Sequence, residues 1–322
     1  MMERRNFLSL ASVITFQALF RTRATADTGS HPPVRRILLV HGRDQQGIDP
    51  ALLKTQWIEA LRRGANTAGR QLPDQLEVSF PYYADVLDRY THGIPTTVEV
   101  QARGDDQADE NFLAFEASVA DQMRQGAGIS DNSIEEMYGS NPQPRGPENW
   151  RWVQAIVRAT DKHGFGMSGD TIETFMRDVY LYTNHAGVRN QVDHIVNAML
   201  TEEPTIVVGH SLGSVVAYNV LRTDTRKLQV PLFVTIGCPL AIRAIRDQLV
   251  PLSFPKPPVA VWSNAFDPRD IVALYPLDAA NFPVSPAVTN YNHVKNHTDN
   301  RHGIDGYLDD PTVVRWILDA LG

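Results

Sequence analysis

The most constraining feature of this sequence is a Gly-x-Ser-x-Gly run at residues 209–213, centred on Ser211. A largely apolar run at residues 204–208 precedes it, and residues 213–221 follow with the apolar spacing of a helix. Glycines at both ends of such a turn let a strand and a helix approach each other without Cβ clashes. A short pattern of this kind arises by chance, as a glycine-rich turn with an exposed serine. Strand, turn and helix together predict that Ser211 is a nucleophile.

Strands and helices alternate on both sides of this turn. Residues 36–40 and 75–80 have the character of strands, and residues 52–65 between them have helical apolar spacing. A strand, a helix and a strand in succession form a parallel unit, so the pattern predicts the α/β class with a mostly parallel sheet flanked by helices. Further strands are predicted at residues 230–236 and 259–262, and a terminal helix at residues 311–321.

The alternation is interrupted after the second predicted strand. Residues 99–149 are acidic, rich in Gln and Gly, and contain no convincing strand. A helix is predicted at residues 171–182, with Asp170 as its N-cap. We therefore expect a helical insertion, a cap, at about residues 90–185 within a main domain of residues 33–322.

Length, composition and charge narrow the class of protein. The chain has 322 residues, of which 43% are hydrophobic and 21% charged, which suits one large soluble domain or two small ones. The net charge of −7 argues against a nucleic-acid partner, because phosphate binding favours a basic surface. The single cysteine, Cys238, excludes an intramolecular disulfide, and its place after an apolar run indicates a small buried residue rather than a catalytic thiol.

Residues 1–26 have the layout of an export signal. Arg4 and Arg5 are followed by uncharged, mostly apolar residues 7–20, and an Ala-Thr-Ala cleavage pattern closes the segment. The apolar run is shorter than the roughly 20 residues that span a bilayer. The start resembles a twin-arginine signal, although Glu3 stands where Ser or Thr is usual. We expect export to the periplasm or beyond. The alternative is a cytoplasmic protein whose first residues form an amphipathic helix or follow from a wrongly assigned start.

A serine nucleophile needs a base, an acid that orients the base, and donors for the oxyanion. Asp267 and Asp270 both follow the predicted strand at residues 259–262, and Asp267 is also suited to cap the turn made by Pro268. The base is expected late in the chain, on a loop before the terminal helix, and His302 fits this place.

Two other histidines, His293 and His297, are predicted to be loop or surface residues. Together with His302 they also suggest a zinc site, but no Cys and no Glu at helical spacing accompanies them. No metal or cofactor is therefore predicted. The backbone N–H of Leu212 is expected to be one oxyanion donor, and that of Arg43, in the loop after the first strand, the second. The alternative for this loop is a simple turn.

Several segments resemble bacterial lipase-like α/β-hydrolases, and the resemblance covers most of residues 35–320. The segments are His-Gly-Arg-Asp-Gln-Gln-Gly at 41–47, Pro-Tyr-Tyr-Ala-Asp at 81–85, Arg-Asp-Val-Tyr-Leu-Tyr at 177–182, and the turn with its helix at 209–218. The chain departs from the family at Arg43-Asp44, where Ile-Gly is common. The resemblance implies the α/β-hydrolase fold, ester hydrolysis, and Asp270 rather than Asp267 as the acid. The chain order Ser211, Asp270, His302 is that of this fold.

Three functions follow as hypotheses. The first is a carboxylesterase or lipase acting on a small ester or lipid substrate through an acyl-enzyme on Ser211. The second is acyl transfer or thioester hydrolysis by the same three residues. The third is a non-catalytic binding protein that has kept the fold.

Overall fold

The computed structural model describes residues 34–43, 45–91, 110–138, 155, 158–159 and 169–322. The export signal expected at residues 1–26 lies outside these ranges. So does much of the insertion expected at about residues 90–185.

A single six-stranded parallel sheet organises the described residues. Its strands are β1 (Arg36–Val40), β2 (Glu77–Ser79), β3 (Thr205–His210), β4 (Val230–Ile236), β5 (Val259–Ala265) and β6 (Thr289–Tyr291). They lie in the order β2-β1-β3-β4-β5-β6, and every neighbouring pair is parallel. The expected α/β class with a parallel sheet is confirmed. Strand β6 was not expected, because its three residues, Thr-Asn-Tyr, form no apolar run.

Helices connect and cover these strands. They are α1 (Pro50–Thr67), α2 (Ala84–Thr91), α3 (Glu110–Gly126), α4 (Asp131–Tyr138), α5 (Gly169–Asn184), α6 (Ala186–Asn197), α7 (Leu212–Thr223), α8 (Arg243–Arg246), α9 (Asp305–Leu308) and α10 (Pro311–Leu321), with a 3₁₀ turn at Asp247–Leu249. Helix α5 begins at Gly169, so Asp170 lies inside its first turn and the expectation of an N-cap there was wrong. None of the described helices is long and apolar enough to cross a membrane.

Two apolar cores lie on opposite faces of the sheet. Along β1, Ile37 and Leu39 belong to the core formed with α1 and α10, whereas Leu38 and Val40 belong to the core formed with α5, α6 and α7. This is the alternation expected when successive side chains of a strand point to opposite faces. All six residues of β3 are buried, as a central parallel strand requires. The strand that leads to Ser211 is therefore held on both faces.

The first turn of α7 lies against the end of β1. A Cβ atom added to Gly213 would clash with the carbonyl oxygens of Val40 and His41. A Cβ atom on Gly209 would lie 2.8 Å from the Cα atom of Ser214. Both glycines expected from the sequence are therefore sites of close backbone approach.

We predict that Gly213→Ala lowers the free energy of unfolding by about 1–3 kcal/mol or more, because helix or strand must shift to admit the methyl group. Urea unfolding measures this change. Gly187→Ala is the matched control, since Gly187 also lies in a helix and an added Cβ meets nothing within 4 Å. The control should be neutral or stabilising by up to about 1 kcal/mol. Equal effects in the two variants would contradict the prediction.

A carboxylic acid is buried among the helices that lie between β2 and β3 in the sequence, which form a helical layer. Glu116 on α3 is fully buried, and neither of its oxygens has a hydrogen-bond partner in the described structure. Burial, with a smaller contribution from Glu173, raises its pKa to about 9, although Arg177 opposes the shift. The side chain is therefore protonated and neutral at neutral pH.

This proton makes stability depend on pH. An ordinary glutamate has a pKa of 4.5, so between pH 4.5 and about 9 the folded protein retains a proton that the unfolded chain releases. The contribution of Glu116 to the free energy of unfolding consequently falls as pH rises through this window. We predict that Glu116→Gln becomes more stable relative to wild type with increasing pH, by up to about 1.4 kcal/mol per pH unit. Unfolding at several pH values tests this, with the exposed Glu59→Gln as control, and a pH-independent difference would contradict it.

Candidate active site

Ser211 occupies a strained turn between β3 and α7. Its backbone has φ 54° and ψ −128°, in the region of positive φ that residues with a Cβ rarely adopt. Such a conformation costs on the order of 1–3 kcal/mol and needs support from its surroundings. The N–H of Ser211 donates to the carbonyl of Ile236 on β4 at 3.0 Å, and the N–H of Ser214 donates to the carbonyl of Ser211 at 2.9 Å. The turn is thereby tied both to the neighbouring strand and to its own helix.

Ser211, His302 and Asp270 form one chain of hydrogen bonds. The Nε2 atom of His302 lies 2.8 Å from Oγ of Ser211, and its Nδ1 atom lies 2.7 Å from Oδ2 of Asp270. All three residues are buried: Ser211 is 1% exposed, His302 is 7% exposed and Asp270 is 0% exposed. They follow β3, β6 and β5, so the contact forms where the carboxyl ends of parallel strands meet at one edge of the sheet.

The surroundings of Asp270 fix the arrangement of protons along this chain. Oδ1 accepts the N–H of Val272 at 3.0 Å, and Oδ2 accepts the hydroxyl of Tyr307 at 2.6 Å in addition to the histidine. A carboxylate only accepts hydrogen bonds, so Nδ1 of His302 carries its proton there. With the Nδ1 proton so placed, Nε2 is the nitrogen that can present a lone pair to the hydroxyl of Ser211, which is the tautomer that a general base requires.

Asp267, the other candidate acid, has a different set of partners. Its Oδ1 accepts the N–H of Arg269 and its Oδ2 accepts the N–H of Asn296, both at 2.8 Å. The first bond closes the turn that the sequence suggested, and the second fastens the chain after β6 to that turn. The structure thus brings Asp270 to His302 and gives Asp267 an anchoring position.

The remaining candidates of the sequence lie apart from this chain of bonds. Nε2 of His297 bonds to Asp309 at 2.8 Å, and the His293 ring packs against Tyr291. Among the described residues, no group of three His, Cys, Asp or Glu side chains is placed to hold a metal ion, so the zinc hypothesis finds no support in these histidines. Burial raises the pKa of the Cys238 thiol to about 12, which makes it a poor nucleophile at neutral pH.

Two residues of the site were missed by sequence reasoning. Tyr307 donates to Asp270, and its oxygen also accepts the N–H of Asp267 at 3.2 Å, so it joins the two aspartates. His210 bonds through Nε2 to the carbonyl of His302 at 2.8 Å, and burial holds the pKa of His210 well below its usual range. A neutral His210 donating through Nε2–H fixes the backbone of His302. The only signal for these roles was their position next to the motifs.

The loop after β1 is held by His41. Nε2 of His41 accepts the N–H of Tyr83 at 3.1 Å, so Nδ1 carries the proton and donates to the carbonyl of Gly42 at 2.6 Å. Burial lowers the pKa of His41 to about 4, which keeps this neutral form. The 42–43 peptide is trans and planar, so the N–H of Arg43 points away from the His41 ring.

This loop adjoins the serine. A Cβ atom on Gly42 would lie 2.9 Å from Cβ of Ser211, so the next residue, Arg43, follows a point of close approach to Ser211. Leu212 is the first residue of α7, where a backbone N–H has no partner within the helix. The two N–H groups expected to stabilise an oxyanion therefore belong to segments that meet at Ser211, and their role stays a prediction.

Comparisons with known proteins assign no family to this site. No protein-family model matches the chain, and no curated protein matches it significantly. The chemical interpretation therefore depends on the geometry of the residues themselves.

The different partners of the two aspartates predict different effects of their replacement. In Asp270→Asn the amide can donate to Nδ1 of His302, which favours the wrong tautomer. We expect a fluorophosphonate to label this variant more slowly than wild type by a factor on the order of 10³ or more. Asp267→Asn should keep labelling within about tenfold and lower thermal stability instead, because it weakens a loop anchor. The reverse order of the two labelling rates would assign the acid to Asp267.

Proposed function

We propose that the protein is a serine hydrolase that cleaves carboxylic esters through an acyl-enzyme on Ser211. The observation that carries this proposal is the continuous chain of hydrogen bonds from Ser211 through His302 to Asp270. A serine hydroxyl is a weak nucleophile unless a positioned base removes its proton. This geometry supports such activation, since the basic nitrogen lies at hydrogen-bond distance from the hydroxyl.

The first half of the proposed reaction transfers the acyl group. Oγ of Ser211 attacks the ester carbonyl carbon as Nε2 of His302 takes the hydroxyl proton, and a tetrahedral oxyanion forms. The C–O bond to the alcohol then breaks, and His302 returns the proton to the departing oxygen. Asp270 stabilises the imidazolium throughout without itself taking the proton.

The second half regenerates the serine. Water gives a proton to His302 and attacks the acyl carbon, which forms a second tetrahedral species. The bond from the acyl carbon to Oγ of Ser211 then breaks, His302 returns the proton to Oγ, and the carboxylic acid is released. The proposed oxyanion donors in both halves are the N–H groups of Leu212 and Arg43. A donor of this kind is worth on the order of 10²–10³ in rate. The bond from His41 to Gly42 supports this assignment, because it fixes the plane of the peptide that carries the N–H of Arg43.

The wider architecture is proposed on the same basis. A parallel sheet, a nucleophile after β3 and the chain order serine, aspartate, histidine suit the α/β-hydrolase fold. The described helices between β2 and β3 are compatible with a cap at about residues 90–185 that shapes the acyl site. Residues 1–26 are proposed to direct export through a twin-arginine-like signal. The substrate class is that of carboxylesterases and lipases.

The test of function is turnover of a series of acyl esters of increasing chain length by purified protein. Ser211→Ala should lose activity by a factor on the order of 10⁴ or more, because the substitution removes the hydroxyl that lies 2.8 Å from Nε2 of His302. Ser214→Ala is the matched control. Ser214 lies in the same turn, but its hydroxyl donates to the carbonyl of Gly209, so this variant should keep activity within about tenfold.

Equal turnover by wild type and Ser211→Ala would refute the proposal. Failure of folded wild-type protein to react with a fluorophosphonate would favour a binding protein over an enzyme. Analysis of the products in the presence of alcohol acceptors separates hydrolysis from acyl transfer, since hydrolysis yields mainly the free acid.

A further inference from the structure

The side chain of Arg43 leaves the loop after β1 and bonds to helix α5. Its Nη1 atom donates to the carbonyl of Thr171 at 2.9 Å, and its Nε atom donates to Oδ2 of Asp178 at 3.3 Å. The two charged side chains are only 8% and 9% exposed. In chain terms the ion pair joins residues 135 positions apart. It therefore links the loop beside Ser211 to the helical segment that precedes β3.

Asp178 also binds a third segment. Its Oδ1 atom accepts the hydroxyl of Thr91, the last residue of α2, at 3.0 Å. Burial raises the pKa of Asp178, and the charge of Arg43 is the largest influence that opposes the shift. A buried carboxylate that loses its cationic partner is strongly destabilised, so this pair resists separation. One carboxylate thus fixes Arg43 with respect to both α2 and α5.

The backbone of Arg43 is held by nearby residues. The carbonyl of Gly42 accepts from His41, and the carbonyl of Arg43 accepts from Nε2 of Gln45 at 3.0 Å. These bonds connect residues one and two positions apart, so they shape the loop internally. The loop is also bonded to the neighbouring segment, since the hydroxyl of Tyr82 donates to the carbonyl of Gln45 at 2.7 Å and the N–H of Gly47 donates to Oδ1 of Asp85 on α2 at 3.2 Å. The Arg43 side chain adds the bonds to α5, through Thr171 and Asp178.

We propose that Asp178 is a positioning residue, which through the Arg43 side chain holds the Arg43 backbone N–H where it stabilises the oxyanion. This inference depends on the function proposed above. Because the bond to the oxyanion is made mainly in the transition state, displacement of the N–H lowers kcat more than it changes KM. A displacement of about 1 Å is enough to lose on the order of 100-fold in rate.

The test compares two aspartates that lie on neighbouring helices, α5 and α6. Asp178→Asn keeps the shape of the side chain and its acceptor for Thr91 but removes the charge that holds Arg43. Asp193→Asn is the control, because Asp193 on α6 is a partly buried carboxylate that accepts hydrogen bonds from Tyr182 and Asn219. We expect Asp178→Asn to lower kcat on an acyl ester by about tenfold or more with KM changed less than about twofold. The control should keep kcat within about threefold.

A second measurement needs no turnover. Amide hydrogen exchange in residues 41–47 should be faster in Asp178→Asn than in wild type and unchanged in Asp193→Asn, because the loop loses its tie to α5. Wild-type protein that is inactive toward esters refutes the proposed function. The positioning role would be overturned if Asp178→Asn had the exchange rate and kcat of wild type. It would also be overturned if both variants lost kcat equally.

A pair of variants at the other end of the ion pair keeps the proposal testable if Asp178→Asn does not fold. Arg43→Lys retains the charge, whereas Arg43→Met retains only the aliphatic length. The backbone N–H is present in both. We expect Arg43→Lys to keep at least threefold more kcat than Arg43→Met, with similar KM values, and equal kcat values would overturn the proposal.

Discussion

The site depends on the close approach of α7 to the end of β1. Because Gly213 has no side chain, the first turn of the helix lies directly against the carbonyls of Val40 and His41. This contact places the loop after β1 next to Ser211, where Gly42 allows a second close approach. The strained backbone of the serine is thereby enclosed by two neighbouring strands and one helix, which supply the support that a positive φ requires.

Asp270 makes a second set of contacts converge on the same point. Its two oxygens accept hydrogen bonds from the imidazole of His302, the hydroxyl of Tyr307 and the N–H of Val272. Full burial makes such a carboxylate costly without donors, and with them it becomes a rigid acceptor. Tyr307 is also bonded to Asp267, which anchors the chain after β6 through Asn296. The loop that carries His302 is therefore held twice, by the bond of the imidazole to Asp270 and by the bond of the Asn296 backbone to Asp267.

Features with a local cause could be predicted from the sequence. The turn at Ser211 was accessible because its buried strand, its glycines and its helix adjoin one another in the chain. The choice of Asp270 over Asp267 came from the family resemblance and not from local pattern, since it depends on which carboxylate reaches His302, 32 residues beyond Asp270. Strand β6 has no apolar run to indicate it, and the pairing of Arg43 with Asp178 joins distant segments. A short stretch of sequence indicates neither strand β6 nor the Arg43–Asp178 pair, because both arise from tertiary packing.

The lengths of the strands have a consequence for association between molecules. Among the strands that the structure describes, the two outermost, β2 and β6, have three residues each, whereas the four inner strands have five to seven. A long, flat outer strand offers a row of unpaired backbone groups to which another chain can add. Very short outer strands offer few such groups, so this sheet is a poor template for edge-to-edge aggregation.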